Sequence, residues 1–261
     1  MKNIMRSIGY EIRRSKFMIR IYVFFIFIMI LVAVLNVDST DGSGVSKMIA
    51  KTPNLPYTFS IFILAFIVGI VCGEDYRDKV ANYELLSGHS RKSIFFARSL
   101  MGIIVGAFFT TILCLVPIIA GNVIAGWGSC LDRGDVIARY LLFFFPFLRL
   151  GAFFAVLTFL VKNPYVIMAA GFIIGEVNLM IGDMVTHSSS LYISLFNIKL
   201  LTEFDDWAIY NVDPVKGIVN YTAYDSSLTS GLVFGTIVVS LLMTGFYLFM
   251  GYSLFRRDEM N

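Results

Sequence analysis

Charge, histidine and cysteine are all in short supply in this chain. Charged residues make up 15% of its 261 positions, whereas a soluble domain carries about 25%, so a soluble globular domain is excluded first. The only two histidines, His89 and His187, fall on opposite sides of the membrane in the topology argued below, so they cannot share a metal or a catalytic triad. Of three cysteines, Cys72 and Cys114 lie in or beside apolar runs and Cys130 lies alone in a loop; no disulfide framework is expected, and small apolar packing is the plainer role. No G-x-x-x-x-G-K-[ST], H-E-x-x-H or G-x-S-x-G segment occurs, which removes a nucleotide-binding P-loop and the common hydrolase signatures. No alternating ten-residue pattern of a β-barrel is present. No catalytic residue, bound cofactor or metal site is expected, and the chain is not read as an enzyme.

What the chain has instead is apolar length. It is 57% hydrophobic with a mean hydropathy of +0.78 and 25 phenylalanines, and a helical span needs about 20 apolar residues. Six runs qualify: Phe17–Val37, Leu55–Cys72, Ile94–Ala120, Val136–Val161, Pro164–Gly182 and Leu228–Phe255. The fold class expected is all-α, a single polytopic membrane domain over residues 1–261 with six transmembrane helices. The first run is longer than the apolar region of a signal peptide and lacks a convincing cleavage site, so it reads as a retained span. Six spans put both termini on one side. That side holds 14 of the 21 basic residues, the other six, and Arg149 lies within a span; by the positive-inside rule both termini are cytoplasmic. The net charge of +3 therefore reflects topology, and no nucleic-acid partner is implied.

Between the spans, residues 1–16, MKNIMRSIGYEIRRSK, place Ile4, Ile8 and Ile12 at helical spacing among basic residues, the pattern of an amphipathic interfacial helix; a solvated leader is the alternative. Residues 38–54 read as a polar outer loop. Lys162–Asn163 is too short for anything but a turn, and Pro164 suits the first position of the next helix, so spans four and five are expected as a tight hairpin. The long extracellular loop, 183–227, is acidic, and its apolar patches LYISLFNIKLL and WAIYNV are expected as short helices. Gly102/Gly106, Gly171/Gly175 and Gly231/Gly235 are GxxxG pairs that let helices approach closely, either within one subunit or across a dimer contact.

The largest inner loop, 73–93, is not disordered in composition. DKVANYELL spaces its apolar residues helically, and SGHS then breaks the helix. On topology alone this is a capped loop at the lipid headgroups. The stretch GEDYRDKVANYELLSGHSRKSIFFARSL, however, resembles the loop between spans two and three of ABC-2-type transporter permeases. That family shows an acidic residue leaving span two, a short helix ending in leucines, a Gly-x-Ser-Arg or Pro-x-Ser-Arg turn, and a basic residue seven positions on. Glu74, Asn82, Leu85, Leu86, Gly88, Ser90, Arg91 and Arg98 fall on those places. The start YEIRRSKF and the ending LFRRDE are similar to the family's ends. Departures are Asp78–Lys79, where a glycine is common, and Arg98, where lysine is usual.

The resemblance implies a short cytoplasmic coupling helix near Val80–Leu86, with Glu74, Asn82, Tyr83, Leu85, Leu86, Gly88, Ser90 and Arg91 forming the docking loop for a separate ABC ATPase subunit. Two ATPase copies would carry ATP and Mg, and a second permease subunit, identical or related, would complete the pathway in the plasma membrane. Lipid and an exported substrate complete the expected partners. Outer loops hold ten acidic against six basic residues, which favours a cationic amphiphile such as an antimicrobial peptide. The rival expectation is a non-transporting membrane sensor or scaffold that uses the same loop to recruit a cytoplasmic partner. Within the spans, Arg149 and Glu176 each cost about 2.5–3.5 kcal/mol at the bilayer centre. They lie 13 and 14 residues either side of the Lys162–Asn163 turn, level with each other. They form either a buried ion pair across the hairpin or a substrate contact through Glu176.

Overall fold

The computed structural model describes residues 16–36, 44–51, 55–77, 91–128, 131–185, 208–212, 219–224 and 230–257. In chain order the elements are α1 (Lys16–Asn36), α2 (Gly44–Lys51), α3 (Leu55–Arg77), α4 (Arg91–Ala125), α5 (Arg133–Leu142), α6 (Phe144–Val161), α7 (Pro164–Val185), β1 (Ala208–Val212), β2 (Val219–Tyr224) and α8 (Ser230–Arg257). Each of the six apolar runs is helical over its described residues, the fourth as two helices that break at Phe143. Among the described residues four segments are long and apolar enough to cross a membrane: Ile19–Asn36, Phe95–Ala125, Arg133–Val161 and Val233–Arg256. α3 and α7 carry shorter apolar stretches, Phe59–Gly73 and Pro164–Gly175. The chain is a helical membrane protein. The proposed interfacial helix of residues 1–16 falls almost wholly outside the described residues, as does the coupling helix near Val80–Leu86.

α6 is the centre of the bundle. Apart from Arg149 and Thr158 its sequence FFPFLRLGAFFAVLTFLV is apolar all round, as expected of a helix enclosed by others, and α3, α4 and α8 all pack on it. Small residues set the approach: a Cβ built on Gly151 would stand 3.5 Å from the Cα of Ile103 on α4. Outer helices show the opposite pattern, with Val23, Phe24, Phe27 and Leu35 of α1 and Phe234, Leu242, Phe246 and Phe249 of α8 exposed, the surface that lipid would cover.

Spans four and five do meet in a tight turn. Lys162 takes a left-handed φ of 56° and its amide donates to the Thr158 carbonyl at 2.8 Å, closing α6. Asn163 Oδ1 accepts from the Tyr165 amide at 3.0 Å, and Pro164 opens α7. Beyond the turn the expected hairpin gives way. α7 lies chiefly along α3, which also packs against α6, and α6 and α7 share few contacts. The reason is the small-residue face of α3: a Cβ on Gly69 would meet the Pro164 carbonyl at 3.2 Å, and one on Gly171 would collide with the Cβ of Ala65.

Three local features differ from expectation. Residues 38–54 are not loop throughout: α2 forms, with Val45, Met48 and Ile49 buried at the i, i+3, i+4 spacing of one helix face. Its start is stitched to the segment after α4, where Val45 and Ser46 amides donate to the Gly126 and Trp127 carbonyls at 3.1 and 2.9 Å. Span four begins earlier than Val136, as α5, capped by Asp132, whose carboxylate accepts from the Asp135 amide at 2.9 Å. The break at Phe143 precedes Pro146, which has no N–H to give to the preceding turn and is tolerated near a helix start. In the 183–227 loop, WAIYNV does not form a short helix. Ala208–Val212 pairs antiparallel with Val219–Tyr224, Tyr210 opposite Tyr221 and Val212 opposite Val219; β-branched and aromatic residues suit that half-pleated setting. LYISLFNIKLL lies outside the described residues.

Candidate functional site

The segment expected from the sequence as a docking loop lies between two helices that touch. Glu74 lies in the last turn of α3 and Arg91 opens α4; Asn82, Tyr83, Leu85, Leu86, Gly88 and Ser90 lie outside the described residues. A Cβ on Gly102 of α4 would stand 2.9 Å from Cys72 Sγ of α3, and that thiol donates to the Arg98 carbonyl at 3.7 Å. Arg98 itself is buried. The stem of α3 also abuts the α6–α7 turn: a Cβ on Gly73 would lie 2.8 Å from Thr158 Cγ2 and 3.6 Å from Pro164 Cδ. Phe95, on the first turns of α4, sits in an aromatic hub with Phe159 of α6 at 4.8 Å and Tyr252 and Phe255 of α8 at 5.7 and 5.4 Å. The loop is therefore mounted on a packed base built from α3, α4, the α6–α7 turn and the end of α8.

Arg149 is buried, at 5% exposure. On α6 it precedes Phe153 by four residues and Val156 by seven, and both of those meet α8: Phe153 packs on Tyr247 at 5.5 Å between ring centroids, and a Cβ on Gly251 would touch Val156 Cγ2 at 3.0 Å. By helical register Arg149 thus belongs to the face of α6 turned toward α8. Glu176 is within α7, its side chain outside the described residues, so the expected Arg149–Glu176 pair also lies beyond them.

Another buried arginine was missed. Arg139, counted from the sequence among the six basic residues of the outer side although it falls within the run Val136–Val161, is a helical residue of α5 with 4% exposure, and its Nε donates to Asp135 Oδ2 at 3.1 Å one turn away. The i, i+4 spacing of Asp135 and Arg139 was the available signal. Among the described residues no cluster of histidine, cysteine, aspartate or glutamate could hold a metal ion.

Buried hydroxyls fall into two groups. Thr111 and Thr158, like the half-buried Thr244, donate to the carbonyl four residues back at 2.7–2.8 Å, the usual resting place for a hydroxyl in an apolar helix. Ser60 Oγ lies 2.8 Å from Cys114 Sγ. Ser99, Thr110 and Ser240 are equally buried, yet their hydroxyl oxygens have no hydrogen-bond partner among the described residues.

The GxxxG pairs divide as well. Gly102 and Gly106 pack on α3, and Gly171 on the other side of α3, so these approaches lie within one subunit; Gly231 has no atom within 4 Å of a Cβ position. In comparisons with known proteins, no family model matches this chain and no curated protein matches it.

Proposed function

We propose that the chain is the transmembrane permease subunit of an ATP-driven ABC exporter, driven through its 73–93 loop by a separate ATPase. The observation that carries this reading is the resemblance of Gly73–Leu100 to the coupling loop of ABC-2-type permeases. The packed base of that loop supports it. A docking handle transmits a push only if its stems are tied into the spans, and here both stems are tied, to each other and to α6, α7 and α8. A pull on the loop then biases the bundle between two packings, as switching transitions in packed helices do. The acidic loops on the other side favour a cationic amphiphile as cargo. The scaffold reading shares the docking loop but needs no coupling to the spans, and the tied stems favour the exporter.

The test is Leu85→Asp, which places a charge on the apolar face of the expected coupling helix. Docking predicts loss of ATPase co-purification and of substrate-stimulated hydrolysis in nanodiscs, with the permease still folded and extracted in normal yield. An intact complex with normal transport refutes it. An intact complex in which hydrolysis never responds to a panel of cationic peptides supports the scaffold instead.

A further inference from the structure

We infer that Lys92, Lys162 and Arg256 form a three-point site for the phosphate of an anionic lipid headgroup, at the end of the bundle where α4 begins and α6 and α8 finish. The argument starts from where the apolar helices stop. The stretch of α4 apolar enough to cross a membrane begins at Phe95, that of α5 and α6 ends at Val161, and that of α8 ends at Arg256. Ring contacts hold these three ends at one level: Phe95, Phe159 and Phe255 all touch one another, with centroids 4.8, 5.4 and 5.6 Å apart. The aromatic hub therefore marks the depth at which hydrocarbon gives way to headgroups on that side. Tyr252, 5.7 Å from Phe95, is a residue type that favours such a boundary.

Each helix then adds one cation, about a turn beyond a hub ring. Lys92 precedes Phe95 by three residues and Phe96 by four, and Arg256 follows Tyr252 by four; these spacings keep a residue on the ring's face of its helix. Lys162 follows Phe159 by three and closes α6 in the left-handed conformation. α4 runs against α6, with Phe95 at Phe159 and Ile103 at Gly151. α8 runs with α6, since Phe153 and Phe159 meet Tyr247 and Phe255 in order. A step back from Phe95 and a step forward from Phe159 or Tyr252 thus leave the bundle in the same direction, each by about 5 Å. All three cations are exposed. Among the described side chains the carboxylates are those of Asp132 and Asp135, at the opposite end of the bundle. Like charges gathered around one hub repel, and an anion among them turns that repulsion into attraction. The group that lies at this depth is a lipid phosphate, whose oxygens can meet more than one cation at once. Leu160 and Leu254, exposed near Lys162 and Arg256, offer the apolar surface that an acyl chain covers and a soluble anion leaves bare. In the topology expected from the sequence this end faces the cytoplasm, the side where anionic lipids collect.

The inference does not depend on an ATPase partner and is tested apart from one. The purified chain, stripped of lipid in a neutral detergent, is titrated with phosphatidylglycerol, phosphatidylcholine or inorganic phosphate while its melting temperature is followed. The site predicts a rise of about 5 °C or more with phosphatidylglycerol at about a hundred times its Kd. Phosphatidylcholine, which brings a cation of its own among the three, should do much less, and so should inorganic phosphate. An equal rise with phosphatidylcholine overturns the site, and an equal rise with inorganic phosphate overturns its assignment to lipid. No response in the parent, as when carboxylates of the 73–93 loop already fill the rim, overturns it too. Lys92→Gln, Lys162→Gln and Arg256→Gln combined should abolish the rise, whereas Arg133→Gln, at the opposite end, should keep it; a combined variant that responds like the parent refutes the site. Should the combined variant fold poorly, the three single variants carry the test, each lowering the affinity for phosphatidylglycerol about five-fold, and unchanged affinity in all three refutes it. Failure of ATPase docking would show only in the Leu85→Asp experiment and would leave these arms intact.

Discussion

Adding a single methyl at Gly171 should pry α7 away from α3. The contact is backbone-close: a Cβ on Gly171 would collide with the Cβ of Ala65, and it would lie 3.6 Å from the Ile61 carbonyl oxygen. Neither neighbour is the flexible end of a long side chain, so relief requires the helices to separate. Overpacking of this kind costs about 1–3 kcal/mol, while replacing glycine by alanine inside a helix returns about 1 kcal/mol. The two terms net to a loss of up to about 2 kcal/mol, and because the colliding atom is a Cβ the upper end is expected, roughly 4–8 °C in melting temperature for a chain of this size. Thermal unfolding of the detergent-purified chain, followed by the fraction remaining monodisperse, reads it. The reciprocal change is the sharper check. Ala65→Gly alone loses about 1 kcal/mol of helix propensity, but combined with Gly171→Ala it removes the collision and exchanges one glycine for another, so the double variant should return close to the parent. As an internal standard, Gly245→Ala, with nothing within 4 Å of its Cβ position, should gain up to about 1 kcal/mol. If Gly171→Ala matches the parent, or the double variant shows only the sum of the two losses, α3 and α7 do not pack through these residues.

Two further outcomes are expected. Asp135→Ala strips buried Arg139 of the carboxylate 3.1 Å from its Nε and should cost about 3 kcal/mol, whereas Asp135→Asn, which keeps an acceptor, should cost less; thermal unfolding separates them. Orientation is checked by cysteine labelling: Ser43→Cys and Ser226→Cys should react in intact cells and Ser87→Cys only after permeabilisation, and labelling of Ser87→Cys in intact cells would turn the chain over and remove the docking proposal.

The helices were legible because long apolar runs have few other ways to satisfy their backbone. Leu55 and Pro164 begin α3 and α7 where the sequence places them, and the Lys162–Asn163 turn is as tight as its length demands. What went unread was lateral. A short turn fixes that two helices are adjacent at one end, but small residues decide which neighbour each follows beyond it. Ala65, Gly69 and Gly73 repeat every four residues along α3, a small-xxx-small stripe that draws α7 away from α6, and it carries no mark in hydropathy. Polar segments hid structure for a different reason. α2 and α5 are short and mixed in composition, so their buried faces, Val45–Met48–Ile49 and Val136–Arg139–Tyr140, are outweighed by flanking polar residues. The β-hairpin hid in an apolar patch whose alternation, VNYTAY, signalled a strand rather than the helix expected nearby. Of the expected site, Asn82 to Ser90 lie outside the described residues, and Arg149 is as deeply buried as its position within a span implied.

The aromatic hub around Phe95 has a practical consequence for how this molecule can be watched. Because Phe95 is wedged between Phe159 and Phe255, the segment leaving the 73–93 loop and the last turns of the final helix behave as one block of stacked rings. A reporter attached beyond Arg257 therefore rides on the same block as the loop's exit, although more than half of the chain separates them in sequence. Under the proposed docking, a fluorophore there would register a pull on the loop while leaving the loop's own surface unmodified, and a bulky fusion at the same place would load the block that the pull has to move.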